Sequence, residues 1–310
     1  MRTTAIATVL VLGVTIGSAE AQYVGIPKTF QPSLAAEAKR VHLKNPPLTT
    51  APDVKTTLYR IADALGMLRG TDERDSIITM DWRGTGTMMV GGQSCRLANY
   101  RGQVRYLAPA PAMRADFACA QADGKPGPRN VQVVAGSLAW NETAPGVGGT
   151  PALDTVTDRL VQLWSLPQAV YKAAVLAGAN TKVTLEGGVV YVTYPLPAPL
   201  TGTARVALNT TDADELTMDS GEKYQLSFWI DRVEMRIGNV VTETTYTDYA
   251  ELNEPDYRSE VMFPRHIVQK RGGVTLLDLT VERTNTYNPY VVMPVPANVK
   301  SAAPQRAGSQ

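Results

Sequence analysis

The stretch that decides the fold is TTYTDYAELNEPDYRSEVMFPRHIVQ, residues Thr244 to Gln269. The tyrosines and threonines at its start are typical of a β-strand, and its acidic middle indicates a loop. A second strand begins at Phe263-Pro264, and Gly272-Gly273 then predicts a hairpin turn into VTLLDLTVERT. The C-terminal region is therefore predicted to be a run of neighbouring antiparallel strands.

The segment EKYQLSFWID, residues 222–231, precedes this run and alternates apolar with polar side chains. This period predicts a strand with one buried face. The residues expected to face covering helices are Tyr224, Leu226, Phe228, Ile230, Leu277, Leu279 and Val281. Trp229 then points to the opposite face, where an outward aromatic residue could line a ligand groove. Beyond Asp231-Arg232 the apolar parity shifts to Val233, which indicates a bulge or tight turn.

Helical patterns occur in two regions. DVKTTLYRIADALGMLRG places apolar residues at helical spacing from Val54 to Leu68, with Asp53 as the N-cap and Gly70 as the stop. LDTVTDRLVQLWSL and PQAVYKAAVLAG predict a pair of helices, with Pro167 at the first helical position of the second and Gly178 as its stop. These two helices are inserted among predicted strands.

The remaining segments are short β patterns. SIITMDWRGTGTMMV, CRLANYRGQVRYLA, MRADFACA and VQVVAGSLAW follow one another between Ser76 and Trp140, and TKVTLEGGVVYVTYPL follows Gly178. Helices and strands do not alternate in the way that builds a parallel sheet. The predicted class is α+β, dominated by an antiparallel sheet.

The N-terminus, MRTTAIATVLVLGVTIGSAEAQ, has an early positive charge, an apolar run and small residues before Gln22. This pattern predicts a signal peptide over 1–21 and a soluble chain exported to the periplasm. A Pro-rich N-terminal arm is expected over 22–52, a single domain over 53–300 and a disordered tail over 301–310. No structure is assigned to the arm.

The exported part contains Cys95 and Cys119, the only cysteines, and an oxidising compartment predicts that they form a disulfide. The net charge is +1, which favours neither nucleic acid nor a strongly anionic surface as partner. No stretch is long and apolar enough to predict an integral membrane protein.

Catalytic and metal motifs are missing from the sequence. The acidic stretch TTDADELTMDSGE lacks the glycine of a calcium loop, since Thr217 is the sixth residue from Asp212. His266 is one of two histidines and is interpreted as a strand residue rather than a general base. We expect a protein that is not an enzyme and needs no cofactor or metal. A hydrolase with two carboxylates that meet only in space remains an alternative.

The strand ending Tyr246-Thr-Asp-Tyr249, the Phe-Pro-x-x-Ile-Val pattern from Phe263, LDLTVERTN and the closing NPYVVMPVP resemble the C-terminal half of periplasmic LolA/LolB-type proteins. The match covers mainly Lys223 to Pro296. It implies a strongly curved antiparallel half-barrel whose concave apolar face is covered by helices. It also implies that lipid or acyl chains bind between sheet and helices, with the candidate ligand-binding residues Leu226, Phe228, Trp229, Leu277 and Leu279.

Two functional hypotheses follow from these observations. The first is a periplasmic carrier or sensor of a hydrophobic small molecule or lipid. The second is a cell-envelope scaffold that binds another protein through a strand edge or the N-terminal arm. A dry cavity of several hundred Å³ favours the first hypothesis, whereas a filled core with an exposed apolar patch favours the second.

Overall fold

The computed structural model describes residues 41–69, 74–107, 110–217, 221, 223–253, 261–286 and 288–303. The predicted signal peptide, 1–21, lies outside the described residues, as do 22–40 of the predicted arm and 304–310 of the predicted tail. The described ends of those segments are ordered, since Val41–Lys44 is a strand and Ala297–Ala302 is a helix that enters the predicted tail.

The described residues form mostly β-structure. The helices are α1 (Val54–Ala64), α2 (Val156–Trp164), α3 (Pro167–Ala177) and α4 (Ala297–Ala302). The strands are β1 (Val41–Lys44), β2 (Leu68–Arg69), β3 (Arg74–Asp75), β4 (Thr79–Val90), β5 (Gln93–Arg105), β6 (Ala112–Ala120), β7 (Pro126–Ala135), β8 (Leu138–Glu142), β9 (Thr150–Pro151), β10 (Lys182–Glu186), β11 (Val189–Pro195), β12 (Thr203–Asn209), β13 (Asp212–Thr217), β14 (Lys223–Leu226), β15 (Trp229–Ile237), β16 (Val240–Glu251), β17 (Met262–Arg271) and β18 (Val274–Thr286).

One antiparallel sheet of 13 strands dominates the fold, in the order β10-β11-β12-β15-β16-β17-β18-β4-β5-β6-β7-β8-β9. A first meander, β4 to β9, precedes α2 and α3 in the chain, and a second meander follows them. The two meanders join where β18 pairs with β4. Among the described strands, this ladder ends at β10 on one side and at β9 on the other. The predicted antiparallel sheet with inserted helices is confirmed.

Glycines allow β4 and β18 to approach closely at this junction. A Cβ atom on Gly84 would lie 2.2 Å from the carbonyl oxygen of Thr280, and one on Gly86 would lie 1.9 Å from that of Asp278. Gly86 also has a φ of 151°, which side chains disfavour. The ladder between β4 and β5 shifts register at the same place, so the glycines mark a bulge in the middle of the sheet.

Helix α1 begins where the sequence predicts. Asp53 is its N-cap, and its carboxylate accepts hydrogen bonds from the backbone N–H of Thr56 at 2.9 Å and from the Thr56 hydroxyl. The predicted end at Gly70 is wrong, because the helix stops at Ala64. Gly66, with a φ of 65°, turns the chain out of the helix a full turn earlier.

Helices α2 and α3 pack with α1 on one face of the sheet, which we call the inner face. Pro167 occupies the first turn of α3 and Gly178, with a φ of 55°, ends it, as predicted. The apolar core between helices and sheet draws residues from both meanders, including the predicted inward residues Leu277, Leu279 and Val281. The prediction that these three residues face the helices is confirmed.

The predicted single strand over 222–231 is wrong. Phe228 has a φ of 72°, and this left-handed residue separates β14 from β15. Strand β14 pairs with β13 in a small sheet with β1 and does not join the large sheet. Trp229 is buried rather than outward. Ile230 is fully buried in the inner-face core, Leu226 lies in a separate cluster and Phe228 is half-buried, while the side chain of Tyr224 lies outside the described part of the structure.

Two other local predictions are confirmed. The parity shift beyond Asp231 is a bulge, because Leu208 pairs with Ile230 while Ala207 pairs with Arg232. Cys95 and Cys119 form a disulfide between β5 and β6, with their Cα atoms 5.3 Å apart. The disulfide is consistent with an oxidising compartment.

The C-terminal segment covers part of the opposite, outer face. Val291, Met293 and Val299 pack on a second apolar cluster with Val133 and Trp140. Hydrogen bonds fix the two ends of this segment: the Asn288 side chain donates to Asp81 at 2.8 Å, and the Asn298 side chain donates to the carbonyl oxygen of Gly149 at 2.7 Å. The closing motif NPYVVMPVP therefore straps the first meander from outside.

Candidate ligand cavity under the helix turn

A cavity lies on the inner face, beneath the two-residue turn Ser165-Leu166 that joins α2 to α3. Both meanders and α2 contribute to its walls. The lining residues are Trp82, Tyr100, Met113, Gln162, Ser165, Leu166, Thr244, Tyr246, Ile267, Gln269, Leu277 and Leu279. The cavity therefore sits where the two meanders and the helix pair meet.

The roof of the cavity is tied to the sheet through Ser165. The Tyr246 hydroxyl donates to the Ser165 carbonyl oxygen, and the Gln269 amide donates to the Ser165 hydroxyl at 3.5 Å. The Ser165 hydroxyl in turn donates to the carbonyl oxygen of Val161, one turn earlier in α2. The position of the helix turn thus depends on side chains from β16 and β17.

Two ion pairs outside the cavity also hold the helix pair in place. Arg271 donates to Asp158 of α2 at 2.8 Å, and Lys172 of α3 pairs with Asp75. Burial lowers the pKa of Lys172, while Asp75 acts in the opposite direction. Arg271 thus fastens α2 to the large sheet and Lys172 fastens α3 to β3, and each of these cations is paired with an acidic partner.

Trp82 forms part of the floor. Its indole ring lies across Gly102 of the neighbouring strand, where a Cβ atom would come within 2.1 Å of the ring. Phe263 packs against it with ring centroids 5.6 Å apart. Trp82 is 1% exposed, and its Nε1 has no hydrogen-bond acceptor among the described residues.

Tyrosines on the inner face are neutral at ordinary pH. Burial raises the pKa values of Tyr100 and Tyr194 far above that of an exposed tyrosine. Burial also raises the pKa of Tyr246, and Tyr194 raises it further. The twelve lining residues include no Asp, Glu, Lys, Arg or His. The described wall of the cavity is thus polar in places but uncharged.

The cavity is small in this conformation. Its volume is about 20 Å³, room for roughly one water molecule. A ligand the size of an acyl chain does not fit in this volume unless the surrounding structure changes.

The structure separates the predicted ligand-binding residues into two places. Leu277 and Leu279 line the cavity. Leu226 and Trp229 lie in a separate cluster with Ala64 and Met262. Phe228 is half-buried beside the main core, outside the cavity lining. The left-handed break at Phe228 explains this division, because it directs β14 into the small sheet.

Sequence reasoning missed the polar lining residues. Thr244 and Gln269 occupy positions paired directly across β16 and β17, and Gln269 pairs onward with Leu277 of β18. Each of the two is at most 3% exposed. The alternation of side chains along residues 244–269 could have revealed them. Thr244 lies on the same face of its strand as Tyr246, and Gln269 lies on the same face as Ile267. Polar residues at core-facing positions are unusual outside functional sites.

The acidic stretch is used for ion pairs in its described part. Asp212 accepts from Lys44, whose hydrogen bond lowers the pKa of that carboxyl group, and Glu215 accepts from Lys223 at 2.7 Å. The Nε2 atom of His266 in β17 lies 2.7 Å from the Oδ1 atom of Asp278 in β18. Within the described residues, no group of three or more His, Cys, Asp or Glu side chains is placed to hold a metal ion.

Of the helices that the structure describes, none is long and apolar enough to cross a bilayer. No model of a known protein family matches this chain, and a search of curated proteins finds no match either.

Proposed function

We propose that this protein is an exported, non-enzymatic carrier or sensor that holds a hydrophobic small molecule or lipid between the helix pair α2–α3 and the inner face of the sheet. The observation that carries the proposal is the cavity beneath Ser165-Leu166. Its wall is mainly apolar, and it lies where the two meanders and the helix turn converge. Clefts of this composition are typical of small-molecule sites.

The half-barrel implied by the LolA/LolB resemblance is part of the same proposal. Six strand pairs of the large sheet contain a shift in hydrogen-bond register. They are β12/β15, β17/β18, β18/β4, β4/β5, β5/β6 and β6/β7. Each bulge bends its strand and increases the local twist. We infer a curved sheet whose concave side is the inner face, so that the helices cover a trough in which a ligand can lie.

For a ligand to enter, the Ser165-Leu166 turn must move away from the inner face of the sheet. The contacts that resist this movement nearest the cavity are the hydrogen bonds of Tyr246 and Gln269 to Ser165. A typical intramolecular hydrogen bond contributes about 0.5 to 1.5 kcal/mol net. Burying apolar area contributes about 25 cal/mol per Å², so one acyl chain offsets the loss of both bonds.

A second function is favoured by the smallness of the cavity and by an exposed apolar surface on α3. Leu176 is 70% exposed and Val175 is 48% exposed, so a protein partner could cover this helix. Strand edges are poor docking sites in comparison. The edge strand β9 has two residues including Pro151, and β10 is short and carries Lys182 and Glu186. Of the described surfaces, α3 therefore suits a scaffold better than strand addition does; residues 22–40 of the N-terminal arm, the other predicted docking segment, lie outside the described residues.

Native mass spectrometry of detergent-free protein and titration with a fluorescent long-chain acyl probe test the carrier proposal. We expect co-purifying lipid or probe binding with a Kd of about 1 μM or less, which corresponds to about −8 kcal/mol. Leu277→Gln places an amide in the cavity wall and should weaken binding at least tenfold. Leu226→Gln is the matched control, because Leu226 is equally buried but lies in the separate cluster.

Both variants are compared only after their circular dichroism and unfolding transitions show that they are folded. A folded wild-type protein without co-purifying lipid and without probe uptake contradicts the carrier proposal and leaves the scaffold hypothesis. Equal loss of binding in Leu277→Gln and Leu226→Gln places the ligand elsewhere.

A further inference from the structure

We propose that this protein forms a two-fold symmetric dimer in which β10, the edge strand at one end of the large sheet, pairs antiparallel with β10 of a second copy. The strand lines no part of the cavity, so the inference does not depend on the proposed ligand.

The first observation is the free edge of β10. The strand pairs with β11 on one side, and no other described strand pairs with it. Its turn to β11 is Gly187-Gly188, with φ values of 57° and 82°, the type I′ geometry of tight hairpins. Such a turn closes on a hydrogen-bonded pair, here Glu186 with Val189, and these pairs alternate along an antiparallel ladder. The backbone N–H and C=O groups of Val183 and Leu185 therefore point to the free edge.

The second observation is the sequence of the strand, KVTLE, in which Lys182 and Glu186 stand at equal distances on either side of Thr184. A two-fold axis through Thr184 places Lys182 of each copy opposite Glu186 of the other. Opposite charges directly across an antiparallel pair stabilise it, and like charges destabilise it. The strand is therefore complementary to itself when it pairs in the antiparallel direction.

The monomer pairs only one of these two charges. Glu186 accepts from Arg205 at 2.6 Å and from the Thr184 hydroxyl at 2.9 Å, and a carboxylate has room for a further donor. Lys182 forms no ion pair among the described residues. Charges on an edge strand discourage the addition of a foreign strand. Here the same charges favour one particular strand, which is β10 of a second copy.

Apolar side chains reach the free edge on the inner face. Val183 and Leu185 are half-buried, whereas their partners across the ladder, Val192 and Val190, are fully buried. In the symmetric pairing, Val183 of each copy lies opposite Leu185 of the other. Association therefore covers apolar area that the monomer leaves partly exposed.

The exposed apolar surface of α3 adjoins this edge. Val175 and Leu176 are exposed in the last turn of α3, shortly before the chain enters β10. The Thr181 hydroxyl donates to the carbonyl oxygen of Ala174 at 2.6 Å, which holds this turn against the start of β10. A second copy paired with β10 lies beside this surface, and we infer that it covers the apolar residues of α3.

Sedimentation velocity at increasing protein concentration tests the dimer. We expect the wild-type protein to be a reversible dimer at about 100 μM. Lys182→Glu places like charges opposite each other on both sides of the axis, so the dissociation constant should rise at least about tenfold. Lys125→Glu is the matched control, because it makes the same change in net charge in the turn before β7, away from β10 in the sheet order. This variant should dimerise like the wild-type protein.

An equimolar mixture of the Lys182→Glu and Glu186→Lys variants tests the register. Each variant alone carries like charges across the axis, but a heterodimer of the two brings opposite charges together at both ends of the strand. We expect native mass spectrometry to detect the heterodimer and few homodimers. A mixture of Lys125→Glu with Glu186→Lys leaves Lys182 of the first chain opposite the introduced lysine of the second, and should form heterodimers at least about tenfold more weakly.

Thr184→Cys gives a readout that does not depend on charge. Residues that face each other on the axis form a non-hydrogen-bonded pair with Cα atoms about 4.5 Å apart, within the range of a disulfide. Oxidation should therefore link two copies through residue 184, as peptide mapping will show. Thr193→Cys is the control, since Thr193 lies on the interior strand β11 and should not link two copies.

Circular dichroism first establishes that each variant is folded. A wild-type protein that stays monomeric at about 100 μM overturns the inference. A dimer whose dissociation constant is unchanged in Lys182→Glu places the contact elsewhere and overturns it as well. Absence of the heterodimer in the mixture of Lys182→Glu with Glu186→Lys contradicts the proposed register. None of these results bears on the carrier proposal.

Discussion

The two faces of the large sheet each bury a polar cluster, and the two clusters differ in how completely their hydrogen bonds are made. On the outer face, Arg114 donates to Glu142 at 3.0 Å and to Gln103 at 3.2 Å. Glu142 also accepts from Trp140 Nε1 and from the backbone N–H of Gly146. Every side-chain nitrogen of Arg114 and both carboxylate oxygens of Glu142 are satisfied.

On the inner face, some buried polar atoms have no hydrogen-bond partner among the described residues. The hydroxyl of Tyr194 and the Nε1 atoms of Trp82 and Trp164 are buried without partners among the described residues. A satisfied network makes a core rigid and specific, whereas an incomplete one costs stability unless another molecule completes it. The Arg114–Glu142 cluster is therefore a complete hydrogen-bond network, whereas the inner face has buried donors that none of the described residues pairs; Arg101 Nε, outside that cluster, is buried without a partner among the described residues as well.

The largest expected effect is on the outer cluster. Arg114→Met leaves the Glu142 carboxylate buried without its cation, and we expect the free energy of unfolding to fall by about 3 to 5 kcal/mol. Urea unfolding followed by circular dichroism measures the change. Adding Glu142→Gln should restore a large part of the loss, because the amide is neutral and still accepts from Trp140. A loss below about 1 kcal/mol for Arg114→Met would show that the pair is not structural.

The disulfide joins β5 and β6, which carry Gln103 and Arg114 of the outer cluster and Tyr100 and Met113 of the cavity wall, so its removal affects the two faces together. Replacing Cys95 and Cys119 by Ala should cost about 3 kcal/mol in the chain-entropy model, with the same urea measurement as readout. Intact mass with and without reductant should differ by two hydrogens, and two free thiols in exported protein would contradict the pairing.

A smaller effect is expected at the cavity roof. Tyr246→Phe removes the hydrogen bond to the Ser165 carbonyl oxygen and should lower stability by about 1 kcal/mol. The acyl probe should associate faster with this variant, because the turn is held less firmly. Stopped-flow fluorescence measures the rate, and an unchanged or slower rate would mean that the ligand does not enter beneath this turn.

The smallest change in stability is expected at Tyr194 on the inner face. Tyr194→Phe removes a buried hydroxyl that has no partner among the described residues, so stability should stay the same or rise by up to about 1 kcal/mol. Thermal unfolding beside Tyr246→Phe measures both under identical conditions. A loss as large as that of Tyr246→Phe would indicate that a bound water satisfies the Tyr194 hydroxyl.

Local patterns predicted much of the fold. Strand alternation, the hairpin glycines at Gly272-Gly273, the N-cap Asp53 and the helix boundaries at Pro167 and Gly178 depend on residues close together in the chain. Prediction failed over 222–231, where the alternation is regular but Phe228 adopts a left-handed conformation. Nothing in a period-two pattern reveals that its two halves belong to different sheets.

By itself, the sequence determined the dominance of antiparallel strands, the place of the helices at Val54, Val156 and Pro167 among them, and the disulfide, because hydrophobic period, turn residues and cysteine number are local or compositional properties. Tertiary structure alone decided which side chains share the cavity. Trp82 of β4, Gln269 of β17 and Ser165 of the helix turn line the same cavity because β18 pairs with β4, which places the two meanders side by side. Such pairing reflects packing of the whole inner face, so no short stretch encodes it.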